Sequence, residues 1–233
     1  MSGILITGTD TGVGKTYTAL GILEFAKNNS IRVTAMKPWE TGCRRSGKRL
    51  VPSDAMRLMK AAGMNDIDTV NPCRFKTPVA PYVAGRLEGR SVCLGTIKRV
   101  YRGLALQHDL VVVEGAGGLL VPITKKYSYA DLAKELSLPV LVVSANKLGV
   151  INHVLLTVDY IKTHGIPFLG VVMNNMSPKN NVAKNTNAHT LSLLLGRKFI
   201  GELAFNKPGK DELVYEKILN LSAHTPGSAV LNR

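Results

Sequence analysis

Residues 8–16 read GTDTGVGKT and directly follow a short apolar run, GILIT (3–7). The closing Gly-Lys-Thr is typical of a loop that binds phosphate groups through backbone amides and a lysine. The usual spacing puts the first glycine at position 9, but this chain has threonine there and glycine at position 8. A strand before the loop and a helical pattern after it supply the required context. We name residues 8–16 the phosphate loop and predict that it is a variant form.

Apolar strands alternate with helical segments along the chain. Stretches that are apolar throughout predict strands at 3–7, 31–37, 109–118, 139–145, 168–174 and 198–203. Apolar residues at helical spacing predict helices at 15–26, 54–62, 150–164 and 212–221, with Ser53 as a candidate N-cap. Strands without alternation are buried on both faces, and intervening helices imply parallel pairing. The sequence therefore predicts a single α/β domain over residues 1–233, a doubly wound, mostly parallel sheet flanked by helices, as in phosphate-loop NTPases.

Each unusual loop follows a predicted strand. These loops are rich in glycine or polar residues and comprise residues 8–16, 37–43, 114–118, 146–153 and 174–177. In parallel α/β sheets, ligands bind beyond the carboxyl ends of the strands. We therefore expect the five loops to gather at one edge of the sheet and to form one active site.

Four side chains in and near these loops indicate chemistry with phosphate and a metal ion. Lys15 is placed to reach the β- and γ-phosphates, and Thr16 to offer its hydroxyl to Mg²⁺. Glu114 ends an apolar strand, where a further oxygen ligand for Mg²⁺ is expected. For Asp54 the residues alone leave two interpretations open, a metal ligand or an acid that stabilises the first turn of a helix.

The composition argues against several classes of protein. Apolar residues make up 45% of the 233 residues, enough for a core, yet no apolar run is long enough to span a membrane. We expect no secretory signal, and Cys43, Cys73 and Cys93 lack metal-finger spacing, so reduced thiols in the cytoplasm are predicted. The net charge of +14 allows nucleic-acid binding, but the basic residues are scattered and do not interleave with aromatic ones. General attraction of anionic ligands explains the charge equally well, and we predict no nucleic-acid or membrane partner.

Six motifs together are similar to those of the dethiobiotin synthetase family. They are GTDTGVGKT (8–16), MKPWETG (36–42), SDA (53–55), EGAGG (114–118), NKLGVINH (146–153) and VVMNNMSP (171–178), in the family's order along nearly the whole chain. The resemblance implies an ATP-dependent cyclo-ligase that converts 7,8-diaminononanoate and CO₂ to dethiobiotin, with release of ADP and phosphate. One amine becomes a carbamate, ATP phosphorylates it to a carbamic–phosphoric mixed anhydride, and the second amine closes a cyclic urea.

The resemblance also implies roles for individual residues. The catalytic residues would be Lys37, Lys15 and Thr11, and the Mg²⁺ ligands would be Thr16, Asp54 and Glu114. The implied nucleotide site, in which Asn174 reads the adenine edge, comprises Gly12, Val13, Gly14, Lys15, Thr16, Tyr17, Asp54, Glu114, Gly115, Ala116, Gly117, Asn174, Asn175, Ala204, Phe205 and Asn206. The diamine would contact Thr41 and, across the interface of a homodimer, the partner subunit's copies of Gly149, Val150, Ile151 and Asn152. Without the resemblance, Lys37 also fits a solvated strand end, Asn152 an N-cap and Asn174 a turn residue.

The chain departs from the family pattern at two places. Position 12 is often acidic in the family and is Gly12 here, so any contact from an acid is absent. A Pro-containing stretch often closes over the base, whereas this chain has GELAFN (201–206), with Ala204 to Asn206 in that place. Both departures leave the choice among nucleoside triphosphates open.

Three other functions are alternatives for a chain with a phosphate loop. Partition and nitrogenase-iron ATPases carry a signature lysine in this loop, but the corresponding position here is Asp10. A nucleotide-dependent binding module is the second alternative, and the net charge of +14 favours it if DNA is the partner. The amidotransferase-linked synthetases usually carry a long glutaminase domain, for which 233 residues leave no room.

Overall fold

A six-stranded sheet forms the centre of the molecule. The computed structural model describes residues 3–205 and 211–223. The strands in this part of the chain are β1 (Ile4–Gly8), β2 (Val33–Met36), β3 (Trp39–Glu40), β4 (Arg44–Ser46), β5 (Arg49–Val51), β6 (Cys73–Arg74), β7 (Leu110–Gly118), β8 (Pro122–Thr124), β9 (Tyr127–Ser128), β10 (Val140–Ala145), β11 (Phe168–Asn174) and β12 (Phe199–Leu203). The main sheet has the order β12-β11-β10-β1-β7-β2, and each of its neighbouring pairs is parallel.

Helices cover both faces of this sheet. Those in the described ranges are α1 (Lys15–Asn28), α2 (Ser53–Ala62), α3 (Ile67–Val70), α4 (Pro81–Leu87), α5 (Leu94–Gln107), α6 (Tyr129–Glu135), α7 (Val150–Thr163), α8 (Val182–Leu195) and α9 (Glu212–Ala223). Among the residues that the structure describes, no helix combines the length and the apolar character needed to cross a membrane.

The core consists of two apolar layers, one on each face of the sheet. Ile4 and Ile6 of β1 pack into the layer that contains residues of α1, α2 and α9, whereas Leu5 packs into the layer formed with α5 to α8. All three side chains are fully buried, and burial of such a side chain contributes about 1.5–3 kcal/mol. The uniformly apolar strands are thus buried on both faces, and the predicted doubly wound α/β fold is confirmed.

The path of the chain creates a crevice between β1 and β7. From β1 the chain crosses through α1 to β2 on one side, while from β7 it returns through α6 to β10 on the other side. Ligands of open α/β sheets bind beyond the carboxyl ends of strands where the direction of winding reverses. Ile6 pairs with Glu114 in the register of β1 and β7, which brings the phosphate loop next to residues 114–118.

The predicted elements agree with the structure within a few residues, with one local error. Ser53 is not an N-cap: it is the first residue of α2, and Pro52 occupies the cap position without a side-chain bond. The carboxylate of Glu40 takes over the capping role by accepting hydrogen bonds from the amides of Asp54 (3.1 Å) and Ala55 (2.9 Å). Because Glu40 is distant in sequence, the local capping signal missed it.

Helices α5, α6 and α8 were not predicted, and neither were α3 and α4. In α5, Gly95 and Gly103 interrupt the apolar pattern, and α6 is only 7 residues long. The first half of α8 is mostly polar, so its periodicity is weak. These helices are stabilised by the sheet against which they pack, since tertiary burial supplies most of the stability of helices of this length.

Candidate active site

A cavity of about 600 Å³ opens at the carboxyl ends of β1, β2 and β7. This volume is within the range of small-molecule sites. It is lined by the predicted site residues Thr11, Gly12, Gly14, Lys15, Thr16, Tyr17, Lys37, Thr41, Asp54, Glu114, Ala116 and Gly117, and also by Glu40, Arg57, Pro78, Val79, Ala80, Pro81, Val121 and Met176. Four of the five predicted loops therefore contribute to one cavity, and the fifth, residues 146–153, does not line it.

Glycines determine the shape of the phosphate loop. Gly12 and Gly14 have φ angles of 74° and 93°, in the left-handed region that favours glycine. Gly14 is also the N-cap of α1, with no side chain to satisfy the first turn, so the amides there are available to an anion. A Cβ atom on Gly14 would lie 1.8 Å from Nδ2 of Asn174, which itself donates to the carbonyl of Val13 at 3.2 Å. The Asn174 amide thus packs directly against the loop and supports it.

The displaced first glycine has a packing reason. A Cβ atom on Gly8 would lie 2.6 Å from the carbonyl oxygen of Asp10 and 3.0 Å from Nζ of Lys15. Nζ of Lys15 donates to that same carbonyl at 3.1 Å, so the loop folds back over Gly8. Any larger residue at position 8 would push the lysine from its place.

We expect Gly14→Ala to be much more harmful than Gly12→Ala. Both substitutions force alanine to a positive φ, at a cost of about 1–2 kcal/mol. Only position 14 adds a collision with the buried Asn174 side chain, whereas a Cβ atom on Gly12 meets nothing within 4 Å. The total loss for Gly14→Ala is therefore about 2–5 kcal/mol. Chemical unfolding and ADP titration measure it, and equal losses in both variants would contradict the role of Asn174.

Lys15 is held in a buried position with its charge only partly compensated. The residue is 6% exposed. Burial, together with the positive charge of Lys37, lowers the pKa of Lys15 to about 8. A lysine in this state gains much from phosphate oxygens, because their negative charge restores the preference for the ammonium form.

This lowered pKa predicts that nucleotide binding takes up a proton in mildly alkaline solution. Between pH about 8 and the ordinary lysine value of 10.5, Lys15 is largely neutral in the free protein, and a bound triphosphate raises its pKa. Affinity should therefore fall as the pH rises above about 8. Calorimetric titrations in two buffers of different ionisation enthalpy measure the uptake, and Lys15→Met should remove it. Equal apparent enthalpies for the unchanged protein would contradict the prediction.

A buried cluster of charges lies beside the loop. Nζ of Lys37 is 2.5 Å from Oε1 of Glu114 and 3.4 Å from Oδ2 of Asp54. The hydroxyl of Thr16 donates to the same Oε1 atom at 2.8 Å. Burial disfavours the charge of Lys37, but the carboxylates of Glu114 and Asp54 outweigh burial, so the pKa of Lys37 is raised. The cluster joins the ends of β2 and β7 to the first turns of α1 and α2.

The oxygen atoms of this cluster fit a Mg²⁺ ion. The second carboxylate oxygen of Glu114 is buried and has no hydrogen-bond partner in the described part of the chain. Within the same part, no three His, Cys, Asp or Glu side chains share a position suited to a metal. The candidate ligands are therefore the carboxylates of Glu114 and Asp54 and the hydroxyl of Thr16. Mg²⁺ commonly combines such a set with water and phosphate oxygens.

Glu40 is a residue of the site that the sequence did not single out. It is 5% exposed, and its carboxylate binds the first amides of α2. This contact fixes the turn that presents Asp54 to Lys37. The signal was present in the motif MKPWETG, where an acid follows a tryptophan that is itself fully buried.

Several predicted residues lie outside the cavity lining. Val13 and Gly115 contribute carbonyl groups close to the cavity. Asn174 lies behind the cavity and is 3% exposed, and Asn175, also behind it, is half-buried. Asn175 binds the side chains of Asn146 and Glu202. Further residues do not line the cavity of their own chain, and these are Gly149, Val150, Ile151, Asn152, Ala204 and Phe205. Asn206 lies outside the described residues, and the roles of all of these stay predictions.

Asp10 marks a difference from the ATPases that switch between states. Its carboxylate lies 3.4 Å from Nζ of Lys147, and its other oxygen accepts from the Thr11 amide at 2.7 Å. The position of the signature lysine is therefore occupied by an acid that pairs with residues 146–153. This contact joins the fifth predicted loop to the phosphate loop.

Comparisons with known structures define the class. A plasmid partition protein from Borrelia burgdorferi has a TM-score of 0.53 at 17% identity, covering 94% of this chain and 96% of that one. Chloroplast FtsY from Physcomitrella patens has a TM-score of 0.54 at 13% identity, covering 93% of this chain and 65% of that one. At these identities the likeness shows the fold alone. A family model described as an AAA domain matches residues 2–212. The chain is accordingly a phosphate-loop, nucleotide-binding protein of the AAA-domain family.

Curated relatives narrow the class. The chain is 42% identical over 199 residues to the ATP-dependent dethiobiotin synthetase of Anaeromyxobacter dehalogenans (strain 2CP-C), covering 85% of this chain and 87% of the relative. It is 38% identical over 229 residues to that of Thermodesulfovibrio yellowstonii, with 94% and 95% covered, and 34% identical over 203 residues to that of Bacillus subtilis (strain 168), with 86% of each covered. The chain belongs to the dethiobiotin synthetase family.

Proposed function

We propose that this protein is an ATP-dependent dethiobiotin synthetase. It forms a cyclic urea from 7,8-diaminononanoate and CO₂ and releases ADP and phosphate. The observation that supports this most is the buried Lys37–Glu114 pair beside the phosphate loop, in a cavity that also contains Thr41. A phosphoryl group that passes from the loop toward a carbamate would meet positive charge and oxygen ligands there.

The phosphate loop positions the triphosphate. Its amides and the first turn of α1 surround the phosphate oxygens, and Lys15 pairs with the β- and γ-phosphates. Thr11 lines the same cavity and is a hydroxyl donor there. Thr16, Asp54 and Glu114 would hold a Mg²⁺ ion, which would supply positive charge to the phosphate groups. The adenine lies on the side of Asn174, Asn175, Ala204 and Phe205, and nucleotide preference follows from their contacts.

Lys37 neutralises the transferred group. Its ammonium is buried at the end of β2 and faces the cavity, where it stabilises the negative charge of the carbamate and of the phosphoryl oxygens. Thr41, four residues later, binds the diamine, so the reacting nitrogen lies near the acceptor of the phosphoryl group. Such positioning is the main source of rate enhancement in a reaction of this kind.

We also propose a cytoplasmic homodimer. Residues 149–152 do not line the cavity of their own chain, which agrees with a role at the site of a partner subunit. Leu148 and Leu156 flank this segment and are 85% and 63% exposed. An interface would cover both leucines, and such burial favours association. A reducing compartment suits the buried, free thiols of Cys43 and Cys73.

Asn152→Ala tests the substrate role across the interface. We expect the KM for diaminononanoate to rise by about tenfold, the loss typical of one hydrogen bond to a charged group, while the KM for ATP stays near its original value. Steady-state kinetics with each substrate varied in turn measure both values. Sedimentation should show that the variant remains a dimer. A larger rise in the KM for ATP would argue against the assignment.

The activity itself is tested by product analysis. Purified protein, Mg-ATP, bicarbonate and diaminononanoate should release phosphate and form the cyclic urea, identified by mass spectrometry. Omission of the diamine should stop phosphate release. Hydrolysis of ATP that ignores the diamine, with no urea, would favour a nucleotide switch instead.

A further inference from the structure

The structure assigns an additional substrate-binding residue to the cavity, Arg57. We infer that its guanidinium binds an anionic oxygen group of a bound substrate, which is either a phosphate of the nucleotide or the carboxylate of the diamino acid. The inference rests on the proposed function for the identity of these substrates. None of the motifs that define the family resemblance includes Arg57.

The position of Arg57 follows from the packing of α2. Ala55 and Leu58 are fully buried in the core, and they fix the orientation of the helix. Arg57 is exposed and lines the cavity, as does Asp54 three residues earlier, so both lie on one face of the helix. Helical side chains lean toward the N-terminus, which directs Arg57 toward the turn that carries Asp54.

The charges of the cavity leave Arg57 without a counterion. Lys37 pairs with Glu114 and Asp54, and the carboxylate of Glu40 is occupied by the amides of α2. Arg57 forms no hydrogen bond or ion pair with any residue in the ranges 3–205 and 211–223. Arg57 and Lys15 are therefore the two cavity-lining cations that form no ion pair among these residues, and Lys15 is already assigned to the phosphate loop.

The chemistry of a guanidinium matches what the substrates carry. Its planar arrangement of N–H donors binds carboxylate and phosphate groups with two parallel hydrogen bonds. The cavity is also lined by apolar residues, Pro78, Val79 and Pro81. A suitable anionic group is supplied both by the carboxylate of the aliphatic diamino acid and by the phosphates of the nucleotide. Binding experiments distinguish these two ligands.

The test compares Arg57→Ala and Arg57→Lys with Arg99→Ala, a matched control. Arg99 is an exposed arginine on α5, in the layer of helices on the other face of the sheet. Calorimetry gives the dissociation constants for ATP and for diaminononanoate, and for 2,3-diaminononane, in which a methyl group replaces the carboxylate. We expect Arg57→Ala to weaken one anionic ligand by about tenfold to a hundredfold, with partial recovery in Arg57→Lys and no change in Arg99→Ala.

The pattern of losses identifies the group that is bound. Weaker binding of diaminononanoate, with unchanged binding of 2,3-diaminononane, assigns Arg57 to the carboxylate. Weaker binding of ATP assigns it to the phosphates. Unchanged binding of both, or an equal loss in Arg99→Ala, overturns the inference. The dissociation constants are measured without turnover, so the test of Arg57 is independent of the test of the proposed function. The proposed function fails if the unsubstituted protein forms no cyclic urea product.

Discussion

Replacing Lys37 with alanine is expected to abolish urea formation and to destabilise the nucleotide-free protein by about 3–5 kcal/mol. The stability loss follows from Glu114, which is 1% exposed and relies on Lys37 at 2.5 Å for compensation of its charge. A buried carboxylate without its partner costs several kcal/mol, which is more than the pair itself contributes. The loss of turnover, about 10²–10³-fold or more, follows from the missing positive charge beside the transferred phosphoryl group.

A double variant separates the two roles of Lys37. In Lys37→Ala/Glu114→Gln the buried carboxylate is removed together with its partner, and the remaining Asp54 side chain is 41% exposed, so most of the stability should return although activity should not. Chemical denaturation of the nucleotide-free proteins gives their free energies of unfolding. ADP titration shows whether the phosphate loop still binds nucleotide. Normal turnover in Lys37→Ala would remove the residue from the mechanism. An unaltered stability would contradict the dependence of Glu114 on Lys37.

Glu114→Gln and Asp54→Asn should both lose Mg²⁺-dependent activity, yet they should differ in stability. Each removes one carboxylate from the set that fits the ion, and turnover should fall by about a hundredfold or more, since even indirect partners of metal ligands have effects up to this size. Glu114→Gln also leaves the Lys37 ammonium with only Asp54, whose side chain is 41% exposed and lies 3.4 Å away. Asp54→Asn keeps the close Lys37–Glu114 pair, so its apo stability should change little.

The measurement for this pair of variants is nucleotide binding with Mg²⁺ and with a chelator. The unsubstituted protein should bind ATP more tightly when Mg²⁺ is present, and both variants should lose most of that difference. Thermal unfolding without nucleotide should then rank Glu114→Gln well below Asp54→Asn. Retention of the Mg²⁺ effect in either variant would exclude that carboxylate as a ligand.

The sequence by itself determined the features that depend on local pattern. The phosphate loop is recognisable because its glycines, lysine and threonine are consecutive, and the strands because residues such as Ile4, Leu5 and Ile6 are apolar without alternation. Motif order along the chain pointed to the dethiobiotin synthetase family, to which the curated relatives show that it belongs. These signals need no knowledge of which strands are neighbours.

Only the tertiary structure decided which distant side chains share the cavity. The order β1-β7-β2 brings Lys37 to Glu114, Glu40 replaces Ser53 as the cap of α2, and Asn174 packs behind Gly14. Each contact depends on strand order and register, and periodicity specifies neither. The same reason explains why Arg57 went unnoticed: its place at the cavity follows from how the buried face of α2 packs, and no motif records that packing.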